Sequence, residues 1–474
     1  MNNNAEAQTL PSPADIIADL VARGRAAMAA YDNEDQARID EAVTALAWSI
    51  YEPGRARELA ELAVADTGLG EVESKVIKNT RKTFGTLRDL LRVPTTGVIE
   101  RIPEKGLVKY AKPVGVVAAV CPSTNPAATP VNKAMMALKG GNAVIVAPSP
   151  AGYTTTAKTV DYMRAELKRS GHPEDLVQVL PAPVSKDLTQ ALMEGCDLVV
   201  CTGSQNNVRR AYSSGTVAIG VGAGNVPVII DKTADLDDAA QKICASKIFD
   251  NATSCSSENS VTILEDVYED AIAALQRAGG YRVTIEEKQK VIDTLWVDGH
   301  LNRHVIAKDA DVFAEAAGLS DEAARSKFFL VEDDGIGPDH PLSDEKLSLV
   351  LTVYKAKDFA DAKDTVRRVL NVTGIGHSVG IHTQDTDHAR ELAEDLDVVR
   401  VLVNQAHTFG NGGSFDNGLN FTLSMGCGTW AGNSISENLN YRNFINITHL
   451  VTTIPEDKPS EEALFGPYWE KNGK

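Results

Sequence analysis

The sequence lacks the features of membrane, secreted and nucleic-acid-binding proteins. No apolar run approaches the roughly 18 residues of a membrane-spanning helix, and residues 1–15 have neither the basic nor the apolar part of a signal peptide. Basic residues number 47 against 65 acidic ones, which gives a formal net charge of −18. This balance disfavours nucleic acid and anionic membranes as partners. We therefore expect a cytoplasmic protein in which any anionic ligand needs a local cluster of hydrogen-bond donors.

Cysteine is scarce and is not arranged for metal binding. The chain has no CxxC pair and no histidine at a metal-ligand spacing, so we expect no zinc site and no other metal. Scattered cysteines in a chain of 474 residues are typical of a reducing compartment. The six cysteines are Cys121, Cys196, Cys201, Cys244, Cys255 and Cys427.

Short apolar strands alternate with helical segments over most of the chain. Strands that are apolar on both faces indicate parallel sheets covered by helices, so the fold class is α/β. Residues 13–91 have a helical pattern, 98–110 predict a β-hairpin, and 455–474 predict a polar, loosely ordered tail. The predicted strands are 114–120, 143–147, 176–180, 198–201 and 226–230 in a first series, and 261–264, 326–331, 350–354, 378–382 and 401–403 in a second.

Two glycine-containing segments are candidates for binding a dinucleotide. The run from Gly220 to Asn225 is GxGxG, but it leads into a strand and not a helix, so a tight turn is the competing interpretation. Gly203 and Ser204 lie between a strand and a helix, where backbone amides can face a pyrophosphate. Ser204 also fits a simple helix N-cap.

Cys255 and Asn125 are the candidate reactive groups. Cys255 is surrounded by small polar residues at the junction of the two series, which favours a nucleophile over a packing role. Asn125 follows the first strand, where its amide could donate to a developing oxyanion. A structural cysteine and a turn asparagine before Pro126 are the alternatives.

Several motifs in register resemble the aldehyde dehydrogenase superfamily, and within it the CoA-acylating branch. The resemblance runs from about residue 112 to 448 and implies the aldehyde dehydrogenase fold, with two doubly wound parallel α/β domains and a small β bridging element. The motifs are CPSTNP at 121–126, FDNATSCSSE at 249–258, EKLSLV at 345–350 and GCGTWAGNS at 426–434, followed by Glu437-Asn438.

The resemblance implies roles for individual residues. Cys255 would attack the aldehyde, and Asn125 with the amide of Cys255 would hold the oxyanion. Glu345 would hold the nicotinamide ribose, and Ser204 the pyrophosphate, with Gly203 and Gly222 also contacting the cofactor. His377 matches a motif of the acylating branch and is a candidate for proton transfer, although a structural histidine in a glycine-rich turn is the competing interpretation.

The resemblance implies that oxidation of the aldehyde leaves a thioester on Cys255. One departure from the wider superfamily concerns how this thioester is released. Hydrolytic members carry a glutamate general base where this chain has Val221, or Gly220 if the register slips by one. Neither residue can activate water, so CoA is expected to take the acyl group. Residues 147–150 read APSP, which places no carboxylate against a 2′-phosphate and offers Ser149, Thr154 and Thr155 as donors. NADP is therefore expected, with NAD as the alternative.

The segments VNQAHTF at 403–409, GGSF at 412–415 and NLNY at 438–441 are similar to acylating enzymes for sulfoacetaldehyde. A sulfonate needs several donors, and His407, Thr408, Ser414 and nearby glycine amides are the candidates. An acylating succinate-semialdehyde or acetaldehyde enzyme is the first alternative. A catalytically silent binding or scaffold protein on the same fold is the second.

The resemblance also implies a division of the chain. The dinucleotide-binding domain is expected at 1–97 and 113–245, the catalytic domain at 246–434, and a bridging element with the tail at 98–112 and 435–474. Because such bridging elements pair subunits in the superfamily, a homodimer or homotetramer is expected.

Overall fold

The computed structural model describes residues 11–31 and 35–474. Helices and strands alternate along most of this length. The helices are α1 (Pro13–Tyr31), α2 (Gln36–Tyr51), α3 (Pro53–Thr67), α4 (Val72–Leu91), α5 (Ala128–Lys139), α6 (Tyr153–Arg169), α7 (Lys186–Gly195), α8 (Gln205–Tyr212), α9 (Leu236–Ile248), α10 (Tyr268–Arg277), α11 (Ile285–Leu295), α12 (Ala310–Ala317), α13 (Asp321–Ala324), α14 (Phe359–Val372), α15 (Thr386–Asp395), α16 (His407–Gly410) and α17 (Glu461–Asn472). The strands are β1 (Gly97–Ile102), β2 (Leu107–Pro113), β3 (Val116–Val120), β4 (Ala143–Ala147), β5 (Val177–Val179), β6 (Leu198–Cys201), β7 (Ala218–Gly220), β8 (Val226–Ile230), β9 (Glu258–Leu264), β10 (Gly280–Arg282), β11 (Trp296–Val297), β12 (His300–Leu301), β13 (Phe328–Glu332), β14 (Val350–Ala356), β15 (Gly376–His382), β16 (Val398–Val403) and β17 (Ile445–Val451).

The first sheet has five parallel strands in the order β5-β4-β3-β6-β7. All five residues of β3 are buried, because alternate side chains enter two different cores. Val117 and Ala119 pack with α2, α5 and α6 on one face, whereas Val116 and Ala118 pack with α1 and α7 on the other. This two-sided burial confirms the parallel sheet that the apolar strands predicted.

The second sheet has seven parallel strands in the order β10-β13-β14-β9-β8-β15-β16. Strand β8 lies in this sheet, paired with β9 and β15. The chain passes from the first sheet to the second between Gly220 and Val226, whereas the division between domains predicted from the sequence lies between residues 245 and 246.

A smaller antiparallel sheet is formed by β1, β2 and β17. The predicted hairpin is confirmed, and β17 adds the third strand from the end of the chain. The prediction of a loosely ordered tail at 455–474 is wrong for its second half, which forms α17. Ser460 caps this helix by accepting from the amide of Ala463, and Glu461 and Glu462 occupy its first turn.

The two parallel sheets meet through the ends of their strands, and an edge here means the side of a sheet where the strands begin or end. The carboxyl ends of β3, β4 and β6 lie at one edge of the first sheet, and the amino ends of β8, β9 and β14 lie at one edge of the second. A hydrogen bond from the amide of Val221 to the carbonyl of Cys201 joins β6 to the segment before β8. The candidate residues of the sequence lie along these two edges. Between residues 11–31 and 35–474, no helix is both long and apolar enough to cross a bilayer.

Candidate active site

Cys255 occupies an irregular segment between a short 3-10 helix, Phe249–Ala252, and strand β9. All six cysteines lie in the described part of the chain and are free thiols. Cys255 is partly exposed, whereas the other five are buried. Cys255 therefore differs from the other five cysteines in its partial exposure, and its role as the nucleophile stays a prediction.

The backbone just before Cys255 is strained. Asp250, Asn251 and Ala252 have φ angles of 52°, 51° and 59°, in the left-handed region that costs non-glycine residues about 1–3 kcal/mol each. The Asp250 carboxylate holds this turn by accepting hydrogen bonds from the amide of Glu71 at 2.8 Å and the hydroxyl of Thr253 at 2.7 Å. Asp250 therefore fixes the path of the chain that leads to the nucleophile.

Two lysines of α4 complete the network around Asp250. Lys75 lies 3.1 Å from its carboxylate, Lys78 also forms an ion pair with it, and all three side chains are buried. The lysines hold the pKa of Asp250 below its ordinary value despite the burial that opposes them. The carboxylate is thus charged, and it connects α4 to the Cys255 segment.

Glycines bring the segment before β8 against Cys255. A Cβ added at Gly224 would lie only 2.0 Å from the carbonyl oxygen of Cys255. The amide of Gly222 donates to the Asn433 side chain at 3.0 Å, and the same oxygen accepts from the amide of Cys427 at 2.9 Å. Val221 is buried. This segment therefore approaches the nucleophile without bringing a carboxylate to it.

Burial, together with the charges nearby, leaves the Cys255 thiol protonated. Burial, then the Glu345 carboxylate and Cys427, raise the pKa of Cys255 to about 12, whereas Arg400 acts in the opposite direction. Burial and the neighbouring Asp344 also raise the pKa of Glu345 to about 8. Glu345 is thus coupled to the nucleophile, and a change in its protonation alters the reactivity of the thiol.

His377 lies behind the site on strand β15, rather than in the glycine-rich turn that the sequence suggested. Its Nδ1 is 2.7 Å from the Ser378 hydroxyl, and the ring is buried. Burial and the guanidinium of Arg400 hold the pKa of His377 well below its usual range. Arg400 donates to the carbonyls of His377 at 2.8 Å and Gly426 at 3.0 Å. The imidazole is therefore neutral near neutral pH.

Asn125 follows β3 and lines a small cavity. Its side chain donates weakly to the Thr124 hydroxyl at 3.4 Å, so the amide can rearrange to meet a ligand. Ser254, the residue before Cys255, lines the same cavity. The remaining lining residues are Ile77, Lys78, Arg81, Lys82, Phe249, Thr408, Phe409 and Leu423.

The candidate cofactor residues follow the carboxyl ends of neighbouring strands in the first sheet. Ser204 follows β6 and caps α8, accepting from the amide of Asn207 at 3.4 Å, and it is exposed. Gly203 beside it has a φ of 150°, which glycine adopts without strain. Because strand order reverses between β3 and β6, this edge is where doubly wound sheets bind ligands.

The residues after β4 offer fewer donors than the sequence suggested. Ser149 accepts from the amide of Gly152 at 3.2 Å, and Thr154 is exposed. The hydroxyl and amide of Thr155 both donate to Asp66, at 2.7 and 2.8 Å. Thr155 is therefore wrong as a donor to a 2′-phosphate, because a carboxylate already occupies both of its donor groups.

The three predicted sulfonate donors are not brought together. His407 is buried against β15, with its Nε2 2.9 Å from the Ser378 hydroxyl, and burial lowers its pKa to about 3. Thr408 lines the cavity, but its hydroxyl donates to the carbonyl of Ser246. Ser414 donates to Asp416. His407 is thus not among the residues that line the cavity, and its part in binding an anion stays a prediction.

Sequence reasoning missed the cationic side of the cavity. Lys78, Arg81 and Lys82 lie one turn apart on α4, at the i, i+3, i+4 spacing that places side chains on one helix face. That spacing was readable in the sequence. A basic stripe on a helix usually faces solvent, however, so nothing local distinguished this one.

Comparison with known proteins agrees with this geometry. The chain matches the aldehyde dehydrogenase family over residues 12–290. It is 52% identical to sulfoacetaldehyde dehydrogenase (acylating) of Cupriavidus necator, over 98% of this chain and 95% of that protein. It is 38% identical to succinate-semialdehyde dehydrogenase (acetylating) of Clostridium kluyveri, over 95% of this chain and 99% of the other.

A solved structure has the same fold. The acetylating aldehyde dehydrogenase of Geobacillus thermoglucosidasius superposes with a TM-score of 0.90 at 34% identity, covering 94% of this chain and 98% of that one. The predicted aldehyde dehydrogenase-like α/β fold is confirmed by this match and by the two parallel sheets. The chain belongs to the aldehyde dehydrogenase family.

Proposed function

We propose that this protein oxidises sulfoacetaldehyde and transfers the resulting acyl group to CoA, with NADP as the oxidant. The activity is supported by the relative from Cupriavidus necator at 52% identity, which is named sulfoacetaldehyde dehydrogenase (acylating). The observation in the structure that carries the proposal is the glycine segment at Cys255, which approaches the thiol without a water-activating carboxylate.

The chemistry begins at the sulfur of Cys255. The Cys255 thiol gives up its proton to solvent as its sulfur adds to the aldehyde carbon, and the carbonyl oxygen becomes an alkoxide. The side-chain amide of Asn125 and the backbone amide of Cys255 are the donors we assign to this oxygen. Hydride leaves the former aldehyde carbon as the carbonyl reforms, which converts the adduct into a thioester on Cys255. A bound nicotinamide dinucleotide supplies the hydride acceptor.

The thioester then survives until a second thiol arrives. Val221 and Gly222 cannot take a proton from water, so hydrolysis is unassisted. The CoA thiolate is a strong nucleophile without being a strong base. It attacks the acyl carbon, forms sulfoacetyl-CoA and returns Cys255 as a thiolate. His377 remains our candidate for proton transfer during this exchange, because its imidazole is neutral and its Nε2 has no hydrogen-bond partner among the described residues.

The carboxyl edge of the first sheet fits a dinucleotide. The exposed cap of α8 at Ser204 and the flexible backbone of Gly203 suit a pyrophosphate. Glu345 is assigned to the nicotinamide ribose and Gly222 to a further contact with the cofactor. Ser149 and Thr154 are the donors left for a 2′-phosphate, so we propose NADP over NAD. The ratio of kcat/KM for NADP to that for NAD tests this choice, and a ratio below one contradicts it.

An acylating succinate-semialdehyde enzyme is the second candidate. It is favoured by the relative from Clostridium kluyveri and by the same cationic cavity, since a carboxylate is also an anion. A panel of sulfoacetaldehyde, succinate semialdehyde and acetaldehyde distinguishes the candidates by kcat/KM. Catalytic silence of the pure protein on the whole panel would instead support a binding role.

We also propose that the β1-β2-β17 sheet pairs subunits into a homodimer or homotetramer. Ile447, Leu450 and Val451 on β17 are exposed at 46%, 50% and 65%, which suits an interface. Residues up to Gly220, apart from β1 and β2, are proposed as the cofactor domain, and those from Val226 to Ser434 as the catalytic domain. Light scattering during gel filtration measures the oligomer, and a monomer contradicts the assignment.

The deciding experiment is a cofactor-reduction assay with sulfoacetaldehyde, with and without CoA. We expect continuous reduction of NADP with CoA, with sulfoacetyl-CoA as the product, and no more than one turnover per subunit without it. Repeated turnover to free sulfoacetate in the absence of CoA would contradict the proposal.

A further inference from the structure

The cavity beside Cys255 carries more positive charge than its neighbours neutralise. Lys78, Arg81 and Lys82 all line it, in a chain whose formal net charge is −18. Lys78 is neutralised by Asp250. Among residues 11–31 and 35–474, neither Arg81 nor Lys82 forms an ion pair. Within the part of the chain that the structure describes, Arg81 and Lys82 therefore line the cavity without a direct ion pair to a carboxylate.

Arg81 is held by contacts that leave its charge available. Its Nη2 donates to the hydroxyl of Ser414 at 2.9 Å, and the guanidinium lies 5.0 Å from the ring centre of Phe415. Its Nε is buried and has no hydrogen-bond partner. A buried, unpartnered donor on a charged group is costly, and an anion in the cavity would relieve that cost. The Ser414 hydroxyl donates a hydrogen bond to Asp416, so this carboxylate orients Arg81 through Ser414.

Lys82 is bonded only to neutral acceptors. Its Nζ donates to the carbonyl of Gly412 at 2.8 Å and more weakly to that of Gly413 at 3.5 Å. Burial and the nearby charges of Arg81 and Lys78 lower the pKa of Lys82 to about 7. An anion bound beside Lys82 would raise the pKa of Lys82 again and so favour its charged form.

The two cations line the same cavity as a residue next to the nucleophile. Asn125 and Ser254 line the cavity together with Arg81 and Lys82. A two-carbon aldehyde with an anionic head can thus place its carbonyl at Cys255 and its head on α4. A sulfonate has three oxygens, which suits the fork of an arginine together with the point charge of a lysine.

We propose that Arg81 and Lys82 bind the sulfonate of the aldehyde and set the preference for anionic over neutral substrates. This assignment rests on the proposed function. It replaces His407 and Ser414 as the anion-binding residues, with Ser414 kept as the group that orients Arg81.

The test is the substrate preference of Arg81→Gln and Lys82→Met. For Arg81→Gln we expect kcat/KM for sulfoacetaldehyde to fall about 100-fold, as for loss of one partner of a buried charged pair, whereas kcat/KM for acetaldehyde changes less than about threefold. Lys82→Met should show the same selective loss with a smaller factor. Arg81→Lys should recover part of the activity. Arg92→Gln removes the same charge from the exposed end of α4 and should leave both substrates unchanged.

Equal losses on sulfoacetaldehyde and acetaldehyde, or no loss on either, would overturn the assignment. Protection of Cys255 from alkylation by isethionate, the alcohol related to the aldehyde, provides a readout that needs no turnover. We expect isethionate to protect the wild type and not Arg81→Gln, and equal protection of both would also overturn the assignment. If the wild type fails to oxidise sulfoacetaldehyde yet is protected by isethionate, the proposed function fails while the anion site stands.

Discussion

The five-stranded and seven-stranded sheets are both parallel and both covered by helices, but they contribute opposite edges to the site. The first offers its carboxyl edge, where Gly203 and Ser204 end β6 and begin α8. The second offers its amino edge, where Cys255 precedes β9 and Gly224 precedes β8. Ligand binding at a carboxyl edge is general in such sheets. The amino edge has no such generic role.

The difference lies in what holds each edge in place. The carboxyl edge needs only backbone amides and a helix cap, which many sequences provide. The amino edge depends on a strained turn at 250–252, on a buried aspartate with two lysines, and on glycines with no room for a Cβ. Substitutions at the amino edge should therefore cost more than substitutions at the carboxyl edge.

The largest effect is expected at the nucleophile. Cys255→Ala should lower kcat by about 10⁴-fold or more, because no other group can form the thioester. The measurement is steady-state NADP reduction with CoA present. Cys196→Ala removes a buried thiol from the core of the first sheet and should keep activity within about twofold. Substantial activity in Cys255→Ala would contradict the assignment of Cys255 as the nucleophile.

Asp250→Asn should destabilise the amino edge. The substitution leaves Lys75 and Lys78 buried without a counter-charge, so we expect the free energy of unfolding to fall by about 3 kcal/mol. Chemical denaturation measures this change. Asp237→Asn removes a carboxylate that pairs with Arg277 on the surface and should cost less than about 1 kcal/mol. Equal costs for the two variants would mean that the Asp250 network is not needed for the turn.

Gly224→Ala should disturb the approach to Cys255. The new Cβ would lie 2.0 Å from the Cys255 carbonyl oxygen, so one of the two segments must move. A shift of about 1 Å at a reacting group lowers the rate by about 100-fold, and kcat/KM reports it. Gly418→Ala adds the same methyl group in open space and should have little effect. Unchanged activity in Gly224→Ala would show that the close approach of Gly224 to Cys255 is not needed for catalysis.

The preference for an anionic substrate should depend on pH. Lys82 is charged below its pKa of about 7 and neutral above it. The ratio of kcat/KM for sulfoacetaldehyde to that for acetaldehyde should therefore be higher at pH 6 than at pH 8.5, by about tenfold. The charged groups that act on Lys82 are Arg81 and Lys78, and Asp416 contacts Arg81 through Ser414. Taking the ratio cancels the titration of Cys255, and a flat ratio would exclude Lys82.

The smallest effect is expected at the carboxyl edge. Ser204→Ala removes the cap of α8 but leaves the amides that face a pyrophosphate, so KM for the cofactor should rise about fivefold with kcat unchanged. Initial-rate kinetics with varied NADP measure this. A loss as large as that of Gly224→Ala would remove the contrast between the two edges.

The sequence predicted local structure well because each strand carries its own signal. Strands β4, β6 and β8 begin and end where their apolar patterns predicted. The passage between sheets after Gly220 could not be predicted, since pairing partners are set by contacts distant in the chain. The cationic cavity was missed for the same reason, because the packing of the 407–423 segment encloses Arg81 and Lys82.

The central claim is tested most directly by the mass of the protein after one turnover. The enzyme is mixed with sulfoacetaldehyde and NADP without CoA, quenched in acid and mapped by peptide mass spectrometry. We expect one sulfoacetyl group per subunit on Cys255, which disappears when CoA is added before the quench and appears as sulfoacetyl-CoA. An adduct on another residue, or free sulfoacetate formed in repeated turnovers without CoA, would contradict the account.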